Sequence, residues 1–442
     1  MTTAVGERDT VGLLEELRRG LDPGAVRVDE TSRRAASTDH AWLSPILERT
    51  LPATVVDVVV APADTEQLVR AVGAACRRRV PLQPRGRGTG NYGQSVPFAG
   101  GMSLGSDRYA TIRDLGRGWI EADAGATFTQ LEQAARATGQ ELAMFPTTVR
   151  STLAGFLAGG AGGIGSVAHG LLWEGGFVQE LEVVPCWEDP EPFVVSGPEA
   201  SPFVHAYGTT GVISAARVAL VPAQRWTALF ASFERYDEAM AAALALTALE
   251  PQPRSVAVTE AALMALLGTD DRWPAGRLSL RAIVAEPTVG AARRVVADAA
   301  GRVEAVQAEA VGLVIATAFN HVTLRAKQRR PQLCHVQIGG DAPLRHPAEV
   351  RAALPGAQLH HDLFAGAIGG LLLSDFVDEP TLRAGMARLA ELGVFVVDPH
   401  TWLLGGHGGL DALWRAAAAN DPYGLCNPGK LPAPGPGGAP MT

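Results

Sequence analysis

The stretch Pro84-Arg85-Gly86-Arg87-Gly88-Thr89-Gly90-Asn91-Tyr92-Gly93-Gln94 places four glycines in eleven residues. Such a turn has few side chains in the way, so its backbone N–H groups can approach a ligand closely, most often a phosphate. Upstream, Val55–Val60 reads as a buried strand. Asp64-Thr65-Glu66 opens a helix with Leu68, Val69, Val72 and Cys76 on one face, and Arg77-Arg78-Arg79 closes it with positive charge. Val80-Pro81-Leu82 is a short second strand. The glycine stretch is therefore expected at the carboxyl end of a strand in an α/β unit, where such units bind ligands.

Gly88 to Gly93 also fits G-x-G-x-x-G. The nicotinamide-type fingerprint needs a helix opening at the last glycines, and Pro97 with Gly100-Gly101 forbids one. A Walker-type loop fails because no Gly-Lys-Ser/Thr closes the stretch. A plain connector would not need the two further glycine-rich segments, Thr147–Gly170 and His205–Ile213.

Working outward, Met102–Leu104, Trp119–Ala124, Val178–Pro185, Phe193–Val195 and Ala215–Val221 read as strands, and Phe128–Thr138 as a helix. Beyond about Ala223 glycine becomes scarce. Helices are expected at Asp237–Leu249, Thr288–Gly301 and Glu379–Leu392, with strands at Arg277–Glu286, Gly312–Phe319, Gln332–Ile338 and Gly393–Asp398. That alternation predicts a second, α/β-plait domain, as a chain of 442 residues requires more than one core.

The composition, 47% hydrophobic and 19% charged, is that of a soluble globular protein. A net charge of −8 with no basic stripe argues against nucleic acid or an anionic membrane as partner. Cys76, Cys186, Cys334 and Cys426 lack CxxC spacing and read as reduced thiols of a cytoplasmic protein. Met1–Glu16 has no apolar signal core. Ser151–Leu172 is apolar, and Gly155 and Gly159 fit a small-xxx-small pattern, but its seven glycines exclude a membrane span. His360-His361-Asp362 looks like a metal cluster, yet adjacent histidines on a strand face opposite ways, so no metal is expected.

Taken together, the glycine stretches resemble the FAD-binding (PCMH-type) domain of the vanillyl-alcohol oxidase / p-cresol methylhydroxylase superfamily. Pro84–Gly93 matches its Pro-Arg-Gly-x-Gly-Thr-x-x-x-Gly loop, and Ala124-Gly125-Ala126 its Ala-Gly-Ala at a helix start. Thr152-Leu153-Ala154-Gly155 through Gly165 matches its Thr-x-Gly-Gly segment, with Ala in place of one Gly. Gly208–Ile213 and Pro222 match its third turn and strand, and Asp421-Pro422 with Asn427-Pro428-Gly429-Lys430 its C-terminal ending. The resemblance covers roughly residues 50–222 and 395–431.

The resemblance implies an α+β fold: a two-subdomain FAD-binding domain over residues 1–222, a ferredoxin-like α/β-plait substrate domain over 223–394, and a return to the FAD domain over 395–431. Residues 432–442 are expected to form a disordered tail. It implies FAD contacts from Arg85, Gly86, Arg87, Gly88, Thr89, Gly90, Asn91, Gly93 and Gln94. Further contacts are implied from Thr147, Thr148, Thr152, Gly155, Gly163, Gly165 and Ser166, and from Gly211, Val212 and Ile213, with Lys430 at the flavin pyrimidine edge. Thr89 stands where covalent members carry His, and no Cys occurs in Thr148–Ser151, so FAD is expected to be non-covalent.

Flavin carries the redox step and the protein supplies position and a base. His321, after the expected strand Gly312–Phe319, is the first candidate. His400, after Val394–Val397, is the second, and Tyr92 is placed to reach flavin or substrate. His407 is a lid candidate, and His169 and Trp173 border the second loop. Arg325, Lys327, Arg329 and Arg330 read as the solvated face of a helix, with an anionic substrate as the alternative. The His-x-Gly-Asp-Gly-Asn-x-His stretch of metal-dependent D-2-hydroxyacid dehydrogenases is absent, which counts against the hydroxyacid branch. The expected function is FAD-dependent oxidation of a small organic substrate such as an alcohol, in the manner of natural-product tailoring, with oxygen or another carrier as acceptor. The rival class is a non-catalytic flavin-binding or partner-binding module on the same fold.

Overall fold

The computed structural model describes residues 9–174, 176–405 and 409–434. Their strands form three sheets. The first, of four strands, has the order Val26–Arg27, Val58–Val60, Met102–Gly105, Leu82–Arg85, and its last three members run parallel. Parallel neighbours require a crossover, which the helix Thr65–Arg77 provides. Asp64 caps that helix, its side chain accepting from the Gln67 amide, and Leu68, Val72 and Cys76 are buried against the sheet.

The second sheet is antiparallel and built around the long strand Val212–Pro222, which pairs with Trp119–Asp123, Val178–Val184 and Gln140–Leu142. The helix Phe128–Arg136 opens on a capping box, Thr127 with Gln130, and buries Phe128, Leu131 and Ala135. A seven-residue helix, Leu153–Gly159, is capped by the Thr152 hydroxyl.

The third sheet holds eight strands in the order Arg302–Gln307, Trp226–Phe233, Leu278–Ala285, Ser255–Thr259, Gln358–Phe364, Ala367–Asp375, Leu333–Gly339, Phe395–Val397, every pairing antiparallel. Helices Tyr236–Leu246 and Val289–Asp298 cover one face near one end, and Glu379–Glu391 packs near the other. The opposite face shares a core with the second sheet, from Ile120 and Phe128 through Phe230 and Ile283 to Val322 and Leu373. At this junction the buried Glu141 carboxylate accepts from Trp226 Nε1 at 2.9 and 3.0 Å and faces Arg254 at 3.6 Å. After Asn420 the chain runs back along the first sheet, where the Leu82 amide donates to Leu425 O and the Asn427 amide to Leu82 O.

Two expectations are corrected. Gly312–Phe319 is not a strand: Val311–Ile315 is a helix, a turn follows, and His321 is the second residue of the helix Asn320–Arg329. The buried residues Val314, Ala318, Val322 and Ala326 recur every four positions, a helical stripe that the apolar run concealed. The second sheet-and-helix unit also has more strands than foreseen, with Trp226–Phe233, Ser255–Thr259, Arg302–Gln307, Gln358–Phe364 and Ala367–Asp375 added. His407 and the tail beyond Pro434 lie outside the described residues. Among the described residues no helix is long and apolar enough to cross a membrane.

Candidate functional site

The first glycine loop leaves its strand at Arg85 and is held from outside by its carbonyls. Gly90 O accepts from the His40 amide at 2.8 Å, Gly93 O from Lys430 Nζ at 2.6 Å, and Gln94 O from Asn427 Nδ2 at 3.0 Å. The Arg85 guanidinium donates to Ser95 O at 3.1 Å and Thr38 O at 2.7 Å. Among the described residues no protein acceptor engages the amides of Gly86, Arg87, Gly88, Thr89, Gly90 or Asn91. A loop with its carbonyls tied back and a run of amides open is built to receive an anion.

The second loop lies directly against the first. A Cβ on Gly86 would stand 2.3 Å from Thr152 Oγ1 and 3.2 Å from Gly155 Cα, so only glycine permits this approach. The hydroxyls of Thr89, Ser151 and Thr148 form a ladder at 2.9 and 2.7 Å that ties the loops together. Between them opens a cleft with about 730 Å³ of empty space, part of it open to solvent. It runs from Arg85, Gly86 and Gln94 past Ala154, Gly155 and Gly159 to Gly208, Gly211, Val212 and Ile213. All three glycine stretches therefore border one cavity.

Not every expected contact residue faces it. Gly163, Gly165 and Ser166 make a tight turn against Ala143 and Phe145: the Gly163 amide donates to Ser166 Oγ, and Gly165 has φ +105°. Arg87 is exposed. Lys430 is fully buried beneath the first loop, 3.4 Å over the Phe98 ring, and burial lowers its pKa to about 7 against the attraction of Asp39.

Beyond the loop, Tyr92 enters a polar cluster supplied by the third sheet. Its hydroxyl accepts from Gln337 Nε2 at 2.6 Å and from Asn320 Nδ2 at 2.9 Å, and lies 3.4 Å from His335 Nε2. Burial pushes the Tyr92 pKa up to about 12, the two amides opposing, so the phenol keeps its proton and can donate it. His335 is buried, its Nδ1 is without a partner, and desolvation depresses its pKa to about 3. His400 is likewise buried. Its Nδ1 is 2.8 Å from Ser44 Oγ, its Nε2 has no partner, and burial takes its pKa to about 4 despite Asp398. Both rings are neutral at pH 7. Lys327, placed on the solvated face by its sequence, is buried and donates to Leu43 O at 3.2 Å.

His321 is half-buried, with Nδ1 3.3 Å from the Ile315 carbonyl. A carbonyl only accepts, so Nδ1 carries the proton and Nε2 is the free basic nitrogen. Burial, Arg325 and His40 all lower its pKa apart from that bond. His335 and Gln337 were not foreseen. Their signal is two polar residues two apart on an otherwise apolar strand, which places both side chains on one face. His360 and His361 lie on a strand as expected: one faces Asp362 and Thr259, the other Tyr236. Among the described residues no group of His, Cys, Asp or Glu is arranged to hold a metal.

Residues 56–186 match the family described as "FAD binding domain". A D-lactate dehydrogenase of Archaeoglobus fulgidus is 28% identical over 194 residues, 41% of this chain and 43% of that protein. The glycolate oxidase subunit GlcD of Bacillus subtilis is 27% identical over 197 residues, 41% of each. An uncharacterised FAD-linked oxidoreductase of Mycobacterium tuberculosis is 29% identical over 112 residues, 25% of this chain and 24% of that protein. The chain thus spans less than half the length of these relatives. Two solved structures of alkyldihydroxyacetonephosphate synthase superpose with TM-scores of 0.74 and 0.72 over 96% of this chain and 86% of theirs, at 14% identity, which is a likeness of fold. Residues 56–186 therefore form an FAD-binding domain, and the cofactor is FAD.

Proposed function

We propose that the chain is an FAD-dependent oxidoreductase that oxidises a small organic substrate such as an alcohol, the hydride passing from a C–H bond to the flavin. The observation that carries this reading is the continuity of the open-amide loop, Gly86–Asn91, with the polar cluster at Tyr92. One loop offers donors for a pyrophosphate and, one residue further, a phenol for a substrate. Bound FAD supplies the hydride acceptor.

The remaining chemistry belongs to the chain. Oxidising an alcohol requires its hydroxyl proton to leave, so a neutral base must stand close. His321 Nε2 has that form at neutral pH. Tyr92 donates a hydrogen bond to the substrate oxygen, held in place by Asn320 and Gln337. Thr89 offers no ring nitrogen and no cysteine lies in Thr148–Ser151, so the FAD is held without a covalent bond. Oxygen or another carrier then reoxidises it. The names of two relatives, D-lactate dehydrogenase and glycolate oxidase, put 2-hydroxy acids first among the alcohols to be screened.

Anaerobic mixing of the FAD-loaded protein with alcohols, 2-hydroxy acids, sugars and amines tests this. Bleaching of the flavin by one class is expected; no bleaching by any, in a yellow protein, would favour a flavin-binding module. Acid precipitation should leave the FAD in the supernatant. His321→Ala should slow flavin reduction by roughly 10²-fold; a near-normal rate would remove it as the base.

A further inference from the structure

The turn Thr317-Ala318-Phe319 leads into Asn320, whose side-chain amide reaches Tyr92, and the core grips it at both ends. The Phe319 amide donates to both carboxylate oxygens of Asp362, at 3.2 and 3.1 Å. The Thr317 carbonyl accepts from Arg281 Nη2 at 2.9 Å. The two grips are one network. Arg281 Nη2 also donates to Thr259 Oγ1 at 2.7 Å, Thr259 Oγ1 is 2.7 Å from His360 Nδ1, and His360 Nε2 is 2.9 Å from Asp362. The Asp362 carboxylate only accepts, so His360 Nε2–H donates to it; in that tautomer of the neutral ring Nδ1 is the acceptor, and the Thr259 hydroxyl donates to it.

The network is dry. Thr259, Arg281 and His360 are 0% exposed and Asp362 3%. A buried cation and carboxylate are costly in a core, and leucines would fill the space more cheaply. The device also holds an unusual backbone: Phe319 has φ +50° and ψ −144°. A non-glycine residue stays there only when its surroundings over-determine it. The residue after it, Asn320, donates to the Tyr92 hydroxyl.

We propose that Asp362, backed by His360, Thr259 and Arg281, is a positioning residue: it fixes the Thr317–Phe319 turn and so sets the Asn320 amide on Tyr92. Its meaning for catalysis rests on the oxidoreductase reading above. The positioning is testable without substrate.

The readout is the Tyr92 ring resonance in protein labelled with ¹³C at tyrosine Cζ, one of five tyrosines, assigned by Tyr92→Phe. Asn320→Ala and Asp362→Leu should move it to the same new position, and the double variant should add nothing. Asp362→Asn, which keeps one acceptor for the Phe319 amide, should fall between. Thr259→Val cuts the link to Arg281 at nearly constant shape and should shift the resonance the same way, which keeps the test open should Asp362→Leu not fold. Hydrogen exchange of the Phe319 amide should rise about tenfold or more in Asp362→Asn, as loss of a charge-assisted bond implies. Folded Asp362 and Thr259 variants that leave the Tyr92 resonance and this exchange unchanged would overturn the proposal. So would an Asn320→Ala variant with an unmoved resonance. A positioned Tyr92 in a protein that no substrate reduces would count against the function alone.

Discussion

Tyr92 is the residue where the two halves of the molecule meet: it belongs to the glycine loop, and its hydroxyl is held by side chains of the third sheet and the helix beside it. Tyr92→Phe would leave the Asn320 and Gln337 amides short of an acceptor, a loss of about 1–3 kcal/mol in unfolding free energy. FAD uptake should be unchanged and flavin reduction slowed. A variant that loses FAD instead would place Tyr92 in the cofactor cradle. His335 and His400 make a second prediction. Their pKa values of about 3 and about 4 lie below the ordinary 6.5, so between these limits the unfolded chain binds more protons than the native one. Stability is then complete above pH 6.5 and falls as the pH drops through 4 towards 3. His335→Gln should flatten that slope in thermal melts; an unchanged slope would show that His335 is not desolvated in the native state.

At the scale of elements, glycine explains what the sequence made legible. A glycine loop after a strand is local chemistry, and the helices capped by Asp64 and Thr127 announce themselves within a few residues. The meeting of the glycine stretches at one cleft was readable for that reason. His321 was misplaced onto a strand end because an apolar run has no alternation to distinguish strand from helix. His335 and Gln337 left a local trace, two polar residues on one face of an apolar strand, but their partner Tyr92 and the Asp362 network were not readable, because segments far apart in sequence pair to make them, as Thr259 does with His360. The cradle also predicts its own fragility. Gly86→Ala drives a methyl group into Thr152 and towards the Gly155 backbone. It should weaken FAD binding at least tenfold in a fluorescence titration while the apo-protein stays folded.

On the scale of the whole molecule, the second sheet and the eight-stranded sheet share one core and are bolted together at Glu141. That carboxylate, 1% exposed, is engaged by Trp226, Arg136 and Arg254. Glu141→Ala would leave Arg254 with Glu132 as its remaining carboxylate and the part-buried Trp226 N–H without its acceptor, and should destabilise by about 1–3 kcal/mol in denaturant unfolding. A cost under about 1 kcal/mol, the range of surface ion pairs, would show that the junction is wet. The first glycine loop both borders the cleft and carries Tyr92, so the claim on which everything else depends is that the cleft holds FAD. Titration of the apo-protein with FAD, followed by flavin absorbance and by melting temperature, tests it most directly. The account predicts one FAD taken up per chain, a yellow protein, and a melting temperature that rises with FAD concentration. A folded protein that stays colourless and melts at the same temperature with or without FAD would contradict it.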